Sequence, residues 1–67
     1  MTTTAPTVYD IKPGDIVAIP DYKGREERVV VTRTQEYDGV MYLTDDTGWE
    51  YSLDSGDKFR YIHRARR

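Results

Sequence analysis

The chain predicts an all-β fold, a small five-stranded antiparallel barrel, on three observations. Apolar residues fall in short β-branched runs and no window carries a helical stripe. Turn-forming clusters recur about every ten residues, the spacing of an antiparallel meander. An Asp38-Gly39 pair separates two of the runs, and a two-residue Asp-Gly link favours a type I′ hairpin whose twist matches its strands. With 67 residues there is room for one domain. Five strands without a helix cannot shield a flat apolar face, so the sheet is expected to curl and close on itself.

Met1 to Thr7 holds four threonines, Ala5 and Pro6 without periodicity and reads as a flexible N-terminal arm, residues 1–7. The domain is expected over 8–63. Pro13-Gly14-Asp15 marks a turn, since Pro presets φ and Gly accepts positive φ. Ile16-Val17-Ala18-Ile19, closed by Pro20, reads as a buried strand too short for a helix. A polar loop comes next at Asp21 to Arg25. Glu27 to Tyr37 is the longest β-type run, with Val29, Val31 and Arg33 expected on one face. After Asp38-Gly39 comes Val40 to Thr44, then a turn at Asp45 to Gly48. Trp49, Tyr51 and Leu53 alternate with Glu50 and Ser52, a strand with one apolar face and with Trp49 expected in the core. Asp54 to Asp57 turns the chain again, and Phe59 and Tyr61 begin the last strand. Residues 64–67 read as a basic C-terminal tail, dispensable for folding because they lie beyond Ile62.

Lys12-Pro13-Gly14-Asp15-Ile16-Val17-Ala18-Ile19, a Lys23-Gly24 loop and a long valine strand together resemble the opening of SH3-like barrels of the KOW and Tudor kind. The likeness covers residues 12 to 63 and implies an SH3-like barrel. KOW segments place a further glycine before the second strand, where this chain has Glu26-Glu27-Arg28, so the resemblance implies fold and not activity.

Charge is segregated within a net of −2. Residues 34–57 hold Glu36, Asp38, Asp45, Asp46, Glu50, Asp54 and Asp57 and no base; residues 58–67 hold Lys58, Arg60, Arg64, Arg66 and Arg67 and no acid. The acidic block has two readings: solvated turns, because Asp suits turn positions, or a face that steers a basic protein and repels nucleic acid. The basic segment is either a solubilising end or an anchor for phosphate. Six tyrosines exceed the needs of so small a core. Tyr9, Tyr22 and Tyr37, in or beside loops, are candidate contact anchors, and Tyr42 is suited to core or surface.

Enzyme signatures are lacking: no phosphate loop, no nucleophile elbow and no histidine–carboxylate metal spacing. Without cysteine, and with His63 as its one histidine, the chain has no thiolate nucleophile, disulfide or Cys-based zinc site. No cofactor or metal is expected. Asp45-Asp46 and Asp54-Asp57 do not match the calcium-loop pattern. No apolar run approaches the ~18 residues of a membrane span, and no signal-peptide core comes after Met1, so a reducing cytoplasm is the expected setting.

The functional expectation is a non-catalytic protein-binding module, an accessory, adaptor or inhibitor of a larger protein. Such compact cysteine-free chains resemble accessory proteins encoded by bacteriophages. The protein-facing residues would be Tyr22, Tyr37, Tyr42, Asp45, Asp46 and Glu50. The alternative is a nucleic-acid-binding barrel with Lys58, Arg60, Arg64, Arg66 and Arg67 on phosphates.

Overall fold

Every β-type run of the sequence forms a strand: β1 (Ile16–Pro20), β2 (Glu26–Tyr37), β3 (Val40–Asp45), β4 (Glu50–Leu53) and β5 (Arg60–His63). The computed structural model describes residues 6–65; residues 1–5 of the arm expected over 1–7, and the arginines Arg66 and Arg67, lie outside the described residues. All pairings are antiparallel, and the order across the sheet is β4-β3-β2-β1-β5. This corrects the expected closed barrel: the sheet is open, with β4 and β5 as its two edges.

The curl comes from β2. Its first half pairs with β1, from Val30 opposite Ile16 to Glu26 opposite Pro20, and its second half pairs with β3, from Arg33 opposite Thr44 to Tyr37 opposite Val40. Between Val31 and Arg33 the register shifts, and the Thr32 hydroxyl donates to the Thr44 and Asp45 carbonyls at 3.0 and 3.1 Å. Such a bulge bends the strand and reverses the facing of the residues beyond it. Val29 and Val31 therefore face the core, whereas Arg33, expected beside them, lies opposite Thr44 on the outer face.

The concave face is filled by Val17, Val29, Val31, Met41, Leu43 and Leu53, all buried. Burying such a side chain is worth about 1.5–3 kcal/mol, so these residues carry most of the drive to fold. The face also receives a short 3₁₀ turn, Val8–Asp10, which brings Val8 and Ile11 into the same cluster. That turn does part of the shielding for which a closed barrel was expected. It is held by the Asp10 carboxylate, which accepts the Thr7 N–H at 2.7 Å, and by the Tyr9 hydroxyl, which donates to the Gly39 carbonyl at 2.6 Å. Tyr9 packs against the core and is no free contact anchor.

The hairpin at Asp38-Gly39 takes the predicted form, with φ of 53° and 79°. Asp15 is the one buried charged residue among those described, 0% exposed. Its carboxylate accepts the Lys12 N–H at 2.9 Å and the Ala65 N–H at 2.7 Å. Gly14 permits this closeness, because a Cβ there would stand 2.9 Å from the Ala65 Cβ. The Arg64 guanidinium lies 4.5 Å from the Tyr61 ring centroid. The start of the expected dispensable tail is thus docked on the domain. No helix among the described residues is long and apolar enough to cross a membrane.

Candidate functional site: the open side of the sheet

Because the sheet does not close, a trough runs beside β4. One depression of about 470 Å³ is lined by Ile19, Pro20, Tyr51, Ser52, Leu53, Gly56, Asp57 and Lys58. A second, of about 460 Å³, is lined by Glu27, Arg28, Asp45, Asp46, Thr47, Trp49 and Tyr51. Tyr51 belongs to both, so the trough runs along the length of β4. The end of β1 and the start of β2 form the opposite wall.

Strand alternation explains this composition. Glu27 shares the facing of Val29 and Val31, Asp45 that of Met41 and Leu43, and Tyr51 that of Leu53. The inward stripe is therefore apolar in the middle and becomes carboxylate and phenol at its open end. Burial raises the Tyr51 pKa, and the nearby charges of Glu27 and Asp45 raise it further.

Trp49, expected in the core, is 66% exposed. It precedes β4, at the end of the turn that starts at Asp45, and overhangs the trough where the core has ended. Asp45 builds that turn: its Oδ1 accepts the Thr47 hydroxyl at 2.6 Å and the N–H groups of Thr47 and Trp49 at 2.9 Å. The Thr47 hydroxyl foremost, against a smaller desolvation, holds the Asp45 pKa below its ordinary value.

The other aspartates behave similarly. Asp21 accepts the N–H groups of Lys23 and Arg25, Asp54 that of Gly56, and Asp57 that of Asp54. Geometry thus supports the turn reading for much of the acidic block, while Asp46 and Glu27 line the trough without such bonds. No group of three or more His, Cys, Asp and Glu among the described residues is placed to hold a metal ion.

The candidate contact residues do not form one surface. Tyr22, 92% exposed, sits in the β1–β2 loop. Tyr37, 69% exposed, sits at the other end of β2, beside the Asp38-Gly39 turn. Tyr42 and Glu50 border a shallow outer-face depression of about 90 Å³ together with Arg33 and Thr44. Only Asp45 and Asp46 of the expected set lie in the trough. Of the basic candidates, Lys58 lines the trough, and Arg60 reaches across β1 to Glu26 in a two-bond pair at 2.7 and 2.8 Å. That hydrogen-bonded pairing lowers the Glu26 pKa and raises that of Arg60. Sequence reasoning missed Glu27 and Trp49. The facing Glu27 shares with Val29 and Val31, and the turn residues beside Trp49, were the available signals.

Comparison with protein-family models, curated proteins and solved structures returns no match.

Proposed function

We propose that this chain is a non-catalytic protein-binding module built on an SH3-like half-barrel, with the trough beside β4 as its contact surface. The half-barrel reading is supported by the β4-β3-β2-β1-β5 order and the single bent strand β2. The observation that carries the binding reading is Trp49. A two-thirds exposed indole at the charged end of the trough costs solubility and adds nothing to the core, and large aromatic rings are the residues that dominate protein interfaces. The carboxylates Glu27, Asp45, Asp46 and Asp57 outnumber the bases Arg28 and Lys58 along the trough, a balance that suits a basic partner and opposes a polyanion. Arg60 already spends its guanidinium on Glu26, which weakens the nucleic-acid alternative.

The test is affinity capture from native host lysate, with and without nuclease, by the chain and by Trp49→Ala. Partners that survive nuclease and are lost with Trp49→Ala support the reading. Capture that vanishes with nuclease, or that ignores Trp49, overturns it. The variant should fold, since exposed substitutions change stability by only about 0.5 kcal/mol.

A further inference from the structure

Antiparallel pairs alternate between residues that exchange main-chain hydrogen bonds and residues that do not. The Asp45 N–H donates to the Trp49 carbonyl at 2.9 Å, which makes Asp45 and Trp49 a bonded position. Along the register, Thr44 with Glu50 is non-bonded, Leu43 with Tyr51 bonded, Tyr42 with Ser52 non-bonded and Met41 with Leu53 bonded. The main-chain N–H and C=O groups of Glu50 and Ser52 therefore point away from β3, over the open edge. Ser52 is also a trough residue, so the free edge and the apolar floor of Ile19, Tyr51 and Leu53 lie side by side.

We propose that this edge is completed by strand addition: an extended segment of a partner protein, apolar at alternate positions with Lys or Arg between them, lies antiparallel to β4. The inference rests on the protein-binding reading and specifies its mode. Apolar side chains of the added strand fall on the trough floor, on the face shared by Tyr51 and Leu53. The intervening residues face outward with Glu50 and Ser52, and their main-chain groups bond those of Glu50 and Ser52.

Charge selects the occupant. The edge carries Glu50 and runs into Asp54 and Asp57, with Asp45 and Asp46 before it. A second copy pairing β4 antiparallel to β4 would set Glu50 against Asp54 of its mate when centred on Ser52 and against Glu50 itself when centred on Glu50, and like charges across strands repel. A segment with basic residues meets the same edge with opposite charge. The short edge offers two outward-facing residues, so the added strand is held loosely and exchanges readily.

The probe is the acetylated and amidated heptapeptide KVKVKVK, titrated into the full chain labelled with ¹⁵N. Strand addition is expected to shift the Glu50 and Ser52 amides and slow their hydrogen exchange. N-methylating the peptide's lysine amides should weaken binding at least ~10-fold, because those N–H groups face β4, and N-methylating its valine amides should not. Ser52→Pro removes an outward N–H without touching the ladder and should weaken binding similarly in a chain whose spectrum remains folded. Binding at the trough that is indifferent to which amides are methylated overturns strand addition while leaving the protein-binding reading intact. Absence of any β4 shift at millimolar peptide overturns β4 as the docking edge, and a β4-mediated dimer of the free chain overturns the choice of occupant. Loss of nuclease-resistant capture, by contrast, strikes the protein-binding reading itself.

Discussion

Shortening the chain after Arg64 removes the N–H that Ala65 donates to Asp15, and the two possible ends at Arg64 separate that bond from everything else. Asp15 is fully buried and accepts main-chain N–H groups from Lys12 at 2.9 Å and Ala65 at 2.7 Å. Hydrogen bonds to a charged group are worth about 1.5–3 kcal/mol, and removing one partner leaves the other short of its compensation. The whole domain has on the order of 3–10 kcal/mol of net stability, so one such bond is a large share. A 64-residue chain ending in a free carboxylate loses the donor and sets a second negative charge near Asp15. It should be at least ~2 kcal/mol less stable by denaturant unfolding. The same chain ending in a primary amide offers an N–H where Ala65 had one and should recover at least half of that loss. Gly14→Ala supplies a cross-check, because its Cβ would meet the Ala65 Cβ at 2.9 Å. Its cost should be larger in the full chain than in either shortened one, where only the strain of φ at 95° remains. Equal stability of all three chain forms would refute the docking of Ala65 on Asp15.

Gly39→Val should destabilise the domain by at least ~1 kcal/mol from backbone strain alone, since φ is 79° and open space surrounds the site; an unchanged denaturation midpoint would contradict this. Thr47→Val should raise the Asp45 pKa toward its ordinary value of 3.8, read by NMR titration of its carboxyl carbon. Because the folded Asp45 pKa is depressed, its contribution is fully present above the unfolded value and is lost as pH falls through the folded one; Thr47→Val should therefore blunt the acid sensitivity of stability. Duplex DNA should bind more weakly than ~10 µM at physiological salt, and sub-micromolar affinity with a log–log salt slope near about −4.5 would instead favour phosphate contacts by all five C-terminal bases.

Strand positions were legible because they rest on local chemistry. Positive φ at Asp38 and Gly39 and the apolar run Ile16 to Ile19 are properties of a few adjacent residues. The open sheet was not legible, because the cover of the concave face is long-range: Val8 and Ile11 arrive from before the first strand. The facing of Arg33 was misjudged for a similar reason. A period of two holds only while the register holds, and the bulge after Val31 is fixed by how β2 must bend between two partners.

The candidate site was hidden by its own alternation. Glu27 and Asp45 interrupt apolar patterns, and in a sequence an interruption looks like an outward-facing residue or a turn. Their strand register says otherwise, since Glu27 opposes Ile19, and Asp45 continues the facing of Met41 and Leu43. A carboxylate on the inner face is tolerable only where that face meets water, so the two acids mark where the core stops. Trp49 is the complementary case, an apolar residue in phase with the core but one step beyond its end. Alternation states which side of a sheet a residue takes, and the length of the opposing strand decides whether anything covers it there. Since β1 ends at Pro20 and β5 pairs only with Ile16, Val17 and Ala18, no strand pairs with the outer edge of β4 beside Trp49 and Tyr51. The trough, its exposed indole and the free edge of β4 all result from that one missing neighbour.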